Sequence, residues 1–197
     1  MHQRRDEELL ADHLAGRPDA FEILVSRYVD ALFGFFKRFV GNAAVAEDLV
    51  QETFLQVHLS AGAFDPQRRF KPWLFTVAAN KARDYMRARG RRPMQSLDAS
   101  PDSREPGAAA AERIEDAGPA SVEQVEADET AARVRGVIAS LPEHLGLILV
   151  LGHFQRLPYA EIAEILGIPV GTVKSRLHSA VNQFAAAWLE QEREAKA

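Results

Sequence analysis

"YAEIAEILGIPVGTVKSRL", residues 159–177, is the stretch whose reading decides the fold. It predicts two short helices meeting at a tight turn. Ala163 is small enough for the helices to cross, and Gly167 tolerates the positive φ such a turn needs. Pro169 is pre-set for a first helical turn. Val173 and Leu177, four apart, share one face of the second helix and predict its buried anchor. The rest of that helix presents Thr172, Lys174, Ser175, Arg176, His178 and Ser179. Hydroxyls and cations in this arrangement reach phosphates and base edges in a DNA major groove. The pattern is that of a DNA-reading helix-turn-helix, set against the simpler reading of a helical hairpin with a solvated face.

Charge qualifies that reading. The 197-residue chain carries a net charge of −4, and residues 121–197 hold seven basic side chains against ten acidic ones. Phosphate neutralisation supplies most non-specific DNA affinity. This lobe alone is therefore expected to bind DNA weakly, so that another part of the system must deliver it.

Working outward, the C-terminal lobe reads as helical throughout. "LGLILVLGHF", 145–154, is too short for the ~20 apolar residues of a membrane span and predicts a buried helix. Ser121 with Gln124, and Ser140 with Glu143, have the spacing of capping boxes and predict two helix starts. Upstream, 22 of the 28 residues from 93 to 120 are Pro, Gly, Ala, Ser, Asp or Glu. Such a segment buries too little to offset its ordering entropy, and predicts a flexible acidic linker. Within it, 108–115 is the stretch able to form a short helix when bound.

Residues 1–92 are read as a second helical lobe. Helices are expected at 6–15, across the apolar stripe of Phe21, Leu24, Tyr28, Leu32, Phe35 and Phe39, at 43–60 with Asn42 as cap, and at 71–90. The predicted fold class is all-α: two small helical domains, 1–92 and 121–197, joined by the linker 93–120.

Two further stretches carry chemistry. Residues 66–92 hold nine basic side chains and one acid, Asp84, interleaved with aromatics including Phe70, Trp73, Phe75 and Tyr85. Phe64, Arg68 and Arg69 lie in the loop before the helix, and Thr76, Asn80, Arg83 and Arg87 form one polar stripe along it. Cations beside aromatic rings suit unpaired bases, which stack while the backbone follows the charge. Trp73 and Phe75 themselves are expected in the core. The second stretch, "AEDLVQETFLQV" at 46–57, puts Asp48, Gln51 and Glu52 on one helical face beside Leu55. It suits a docking surface for a partner protein, the plain alternative being a solvated acidic face.

Several classes are excluded or unsupported. With no cysteine, disulfides and thiolate metal sites are impossible. No phosphate-binding Gly loop, nucleophile elbow or metal-spaced His cluster appears. No catalytic residue, metal, cofactor or small-molecule substrate is assigned, and the chain is read as a non-enzyme. The N-terminal "MHQRRDEELL" lacks a signal-peptide core, and no run spans a membrane, so a cytoplasmic location is expected.

Taken in order, these three motifs resemble a bacterial sigma factor of the extracytoplasmic-function (ECF) group. "AEDLVQETFLQV" is similar to the family's core-polymerase-binding segment, "FKPWLFTVAANKARDYMRARGRR" to its region two, and "LPEHLGLILV…YAEIAEILGIPVGTVKSRLHSA" to its region four. The resemblance implies that Asp48, Gln51, Glu52 and Leu55 meet the clamp helices of the RNA polymerase beta-prime subunit. It implies that Phe64, Arg68, Arg69, Thr76, Asn80, Arg83 and Arg87 read and help open the −10 element. Thr172, Lys174, Ser175, Arg176, His178 and Ser179 would read the −35 element, with the lobe held on the beta flap. An anti-sigma factor is an implied partner, and the acidic linker would thread the polymerase as a mimic of nucleic acid. Many relatives carry Arg at Ser179 and near Gly146, so fewer phosphate contacts and more dependence on polymerase are expected here. A 28-residue linker extends to at most ~90 Å, enough for two sites two helical turns, roughly 70 Å, apart.

Two other functions fit parts of the sequence. "GTVKSRL" also suits a dimeric helix-turn-helix regulator, against which the helical, basic-aromatic N-terminal lobe argues. A sigma-like decoy is the other, against which the intact polar stripe argues. Run-off transcription with core polymerase separates them, since neither alternative initiates anything.

Overall fold

The computed structural model describes residues 4–91 and 122–194, and the linker, Ser121 and its capping box lie outside them. Among the described residues the fold is all-α. The N-terminal lobe holds α1 (Asp6–Leu14), α2 (Pro18–Val40), α3 (Ala43–Ser60) and α4 (Phe70–Arg91), with a 3-10 turn at Ala61–Ala63. The C-terminal lobe holds α5 (Val122–Ser140), α6 (Glu143–Leu149), α7 (Tyr159–Leu166) and α8 (Val170–Glu194).

Local chemistry sets the boundaries of these helices. α2 opens with Pro18 and stops at Gly41, whose φ of 73° takes the left-handed conformation that glycine adopts without penalty. Asn42 then caps α3, its Oδ1 accepting from the backbone N–H groups of Ala44 and Val45. α1 is fastened to α2 by Asp6, which accepts from Arg27 and the Tyr28 hydroxyl. Burial and the neighbouring Asp6 together push the Tyr28 hydroxyl well above the usual phenol range. The first turn of α4 is anchored from α1, where Glu7 Oε1 accepts from Phe70 N at 2.8 Å. A carboxylate there satisfies an orphan N–H and meets the positive end of the helix dipole.

The N-terminal core is aromatic. Phe35 touches Phe36, Phe39 and Phe75 edge-on, with centroids 5.2–5.8 Å apart. Phe35, Phe36, Phe70 and Phe75 are all fully buried, each contributing about 1.5–3 kcal/mol of transfer free energy. Phe75 is therefore core, as its position in the sequence implies, and Trp73 packs half-buried against Phe64 and Phe70.

In the C-terminal lobe, "LGLILVLGHF" is buried as expected, but its helix changes pitch. α6 gives way at Val150–Phe154 to a π turn. The expected capping box at Ser140 and Glu143 is not formed. Ser140 is the last residue of α5 and donates back to the Val137 carbonyl at 2.8 Å, while Pro142 stands at the N-cap of α6. A serine still inside one helix satisfies its hydroxyl there rather than at the next.

The buried residues of both lobes form one contiguous cluster. α7 packs on α4, and α5 and the π turn pack on α2. Gln155 Nε2 donates to the Ala31 carbonyl at 3.1 Å, and the Arg38 guanidinium lies over the Phe154 ring at 4.1 Å. Burial at this seam, with Arg135 nearby, lowers the Arg38 pKa.

Candidate functional site

Three surfaces carry the chemistry singled out in the sequence. The first is the outer face of α3. Leu49, Val50, Phe54 and Val57 are buried, and Thr53 donates to the Leu49 carbonyl at 2.7 Å inside the core. That burial turns the i, i+3, i+4, i+7 set of Asp48, Gln51, Glu52 and Leu55 outward, and all four are exposed. Glu52 also takes Lys81 of α4 as an ion-pair partner at 2.8 Å. One member of the surface was not singled out in the sequence: Leu59, 70% exposed, one turn beyond Leu55. Its i+4 spacing from Leu55 was the available signal. The C-terminal ends of α1 and α3 meet beside this face, where His13 Nε2 and His58 Nδ1 are 2.9 Å apart.

The second surface is the 64–69 loop with α4. An Asx turn shapes the loop, Asp65 Oδ1 accepting from Gln67 N and the Asp65 carbonyl from Arg68 N, both at 2.9 Å. Phe64 is anchored on Trp73 with centroids 4.9 Å apart, which leaves Arg68 and Arg69 projecting from the turn. On the helix, Thr76 back-bonds to the Pro72 carbonyl at 2.9 Å, and Arg83 Nη1 donates to Asn80 Oδ1 at 2.7 Å. Arg83 thereby holds the Asn80 amide.

The third surface is α8. The helix-turn-helix is present: Gly167 has a φ of 64° at the end of α7, and the Ile168 N–H reaches back to the Ala163 carbonyl at 3.0 Å. Val173 and Ala180 are fully buried, and Leu177 leans on Gly152 of the π turn, where an added Cβ would lie 3.1 Å from its Cδ1. A side chain there would have to be accommodated by a small shift of Leu177. Lys174, Ser175 and His178 are exposed, and Thr172, Arg176 and Ser179 are half-buried along the same side. His178 is held by Asn182 at 3.0 Å and Ser179 by Gln183 at 3.4 Å, which places two further amides on the outer side of the helix. Gly146 differs from these positions: it is buried where α6 packs on α5, with the Ile138 carbonyl 3.5 Å from an added Cβ.

Three carboxylates lie against the second surface, of which the sequence had singled out only Glu143, and that for a capping box. Glu161 and Glu164 of α7 face Arg69, and Glu143 of α6 faces Arg83 and Arg87. Acids on a surface helix are ordinary, so the sequence carried no signal that Glu161 and Glu164 would meet this surface.

No group of three or more potential metal-binding side chains occurs among the described residues, and no described helix is long and apolar enough to cross a membrane. Residues 24–92 match the Sigma-70 region 2 family, and residues 131–183 match Sigma-70, region 4. The chain is 36% identical to the RNA polymerase sigma-H factor of Pseudomonas aeruginosa, over 90% of this chain and 91% of that one. It is 35% identical to the ECF RNA polymerase sigma factor SigW of Bacillus subtilis, over 83% and 86% of the two chains. Among solved structures, it is similar to CnrH in complex with the cytosolic domain of CnrY, with a TM-score of 0.68, 27% identity, and coverage of 92% and 95%. The fold is shared also by the sigma factor RpoE of Bartonella quintana, solved with the anti-sigma factor NepR, at a TM-score of 0.58, 24% identity, and coverage of 85% and 95%. With both family regions in their order along one helical chain, this protein belongs to the ECF sigma factors and directs promoter-specific transcription initiation by RNA polymerase.

Proposed function

We propose that the three surfaces divide the work of initiation as follows. Residues 1–92 form region two, 93–120 the linker and 121–197 region four. Asp48, Gln51, Glu52 and Leu55 dock on the polymerase clamp helices, with Leu59 extending the apolar edge of that contact. Arg68, Arg69, Thr76, Asn80, Arg83 and Arg87 engage the −10 element, with Phe64 setting the loop. Thr172, Lys174, Ser175, Arg176, His178 and Ser179 engage the −35 element from the major groove.

The observation that supports this division is the outward face of α3. Four residues at helical spacing, one of them an exposed leucine, face away from the buried side of α3. An apolar side chain flanked by acids on a rigid helix suits a protein partner better than DNA. The reading helix, with Lys174 and Arg176 as its permanent cations, needs such a partner to be delivered. The chain acts in the cytoplasm as a binding subunit with no chemistry of its own. Because CnrH and RpoE are recorded with the CnrY cytosolic domain and with the anti-sigma factor NepR, an anti-sigma protein is the expected regulator here too.

Run-off transcription with core polymerase on a genomic DNA library tests the assignment. Discrete transcripts sharing −10 and −35 elements are expected on adding this chain. No transcript above that of core enzyme alone would reject it.

A further inference from the structure

The region four match ends at residue 183, whereas α8 runs on to Glu194, about three turns farther. Those turns have a regular pattern of burial. Phe184, Ala187, Trp188, Gln191 and Glu192 are half-buried, and the residues between them are exposed. Steps of three and four put all five on one helical stripe. The stripe continues the face that seats the helix-turn-helix, since Leu177, Ala180, Phe184 and Trp188 follow one another at three, four and four positions.

This part of α8 lies on α5. The Arg133 guanidinium covers the Trp188 ring at 4.2 Å, and the Phe184 ring runs nearly parallel to that of Trp188, with centroids 6.0 Å apart. Trp188 Nε1 donates to Glu192 Oε1 at 3.1 Å, and Arg133 Nη2 lies 3.9 Å from the same oxygen. Gln191 meets α5 at Gly136, where an added Cβ would lie 3.7 Å from its Nε2. Arg133 Nη2 is buried without a hydrogen-bond partner among the described residues. The indole face and the Glu192 charge therefore hold this cation, and Trp is the best of the aromatic faces for that purpose.

We propose that Trp188 is a positioning residue for −35 recognition, and that its contact with Arg133 fixes the direction of the reading helix. α8 is a single helix of 25 residues, so its two ends move together. The helix-turn-helix seats it through Val173, Leu177 and Ala180, all in its first half. α5 supplies the second support. Arg176 stands ~18 Å along the helix from Trp188, so a few degrees of swing at α5 would move it by on the order of an ångström. A base contact requires placement within about 0.5 Å. This role rests on the assignment of α8 to the −35 element.

The test uses the full chain with core polymerase, the transcripts of the genomic run-off being sorted by the strength of their −35 element. Trp188→Ala should lower output from strong-element promoters about fivefold, the worth of one partly desolvated cation–π contact. Promoters lacking the element should be unaffected. Trp188→Phe keeps a ring for Arg133 and should restore most of the output. In a double-mutant cycle, Arg176→Ala should absorb the effect of Trp188→Ala, because one acts through the other. Trp73 and Trp188 are the two tryptophans of the chain, so in a Trp73→Phe background the emission reports Trp188 alone. Arg133→Ala should shift that emission to the red. An unshifted emission, no loss or an equal loss in both promoter classes, or full additivity with Arg176→Ala would each overturn the proposal. An equal loss is what a merely destabilised fold gives. If Arg176→Ala itself shows no preference for −35 promoters, the assignment of the reading helix has failed, and the brace falls with it.

Discussion

Arg69 and Glu161 are 92 positions apart in the chain and 2.7 Å apart in the fold. One projects from the loop that leads into α4, and the other lies on the first helix of the helix-turn-helix. Read along the chain, they belong to different lobes. In the structure each restrains the other, so the loop before α4 and the helix-turn-helix meet in a single seam.

The outer face of α3 is expected to be dispensable for folding and required for assembly. Asp48→Ala with Glu52→Ala should weaken core-polymerase binding at least tenfold while the helical circular dichroism spectrum is retained. Breaking the solvated Glu52–Lys81 pair should lower stability by no more than about 1 kcal/mol. An unchanged polymerase pull-down would remove the docking assignment.

Arg176 is half-buried on α8, on the side proposed to read the −35 element. Arg176→Ala should reduce run-off transcription selectively from promoters with a good −35 element, by roughly 5- to 100-fold for a base contact worth about 1–3 kcal/mol. An equal loss on promoters lacking that element would show that the arginine acts elsewhere.

Gly152 sets the approach of α8 to the π turn. Gly152→Val should cost about 1–3 kcal/mol, since the added methyl groups meet Leu177 and Ile162 in a packed interior. Gly152→Ala should cost less, because the atom 3.1 Å from the new Cβ is the mobile end of Leu177. Thermal unfolding that ranks the two variants equally would contradict this account of the glycine.

His13 gives the stability a pH dependence. Burial, and then the charge of His58, hold its pKa below the usual histidine value of 6.5. The unfolded chain therefore takes up this proton at a higher pH than the folded one, and stability falls as pH drops through about 6.5 toward the lower folded value. Melting temperature should be nearly level from pH 8 to 7 and decline toward pH 5.5. His13→Gln should flatten that decline, as measured by scanning fluorimetry across the range.

Much of the fold was legible because helices are specified locally. Asn42 caps its own helix, Gly41 and Gly167 end theirs with positive φ, and the apolar spacing of Leu24, Leu32, Phe35 and Phe39 chooses the buried face of α2. Burying Leu49, Val50, Phe54 and Val57 then leaves Asp48, Gln51, Glu52 and Leu55 only one direction to face. Ser140 departed from its spacing because a hydroxyl has two carbonyl-rich neighbourhoods to choose from, and the helix it already occupies is nearer.

The sequence by itself determined eight helical segments and the helix-turn-helix among the described residues, because caps, turns and periodicity act over a few residues. Only the tertiary structure decided that Glu143 and Glu161 stand against Arg83, Arg87 and Arg69, and that Gly152 receives Leu177. Those pairings depend on how two lobes meet across a gap of many residues. No local pattern encodes that meeting, because it is fixed by the sum of many weak contacts rather than by any one residue's preference.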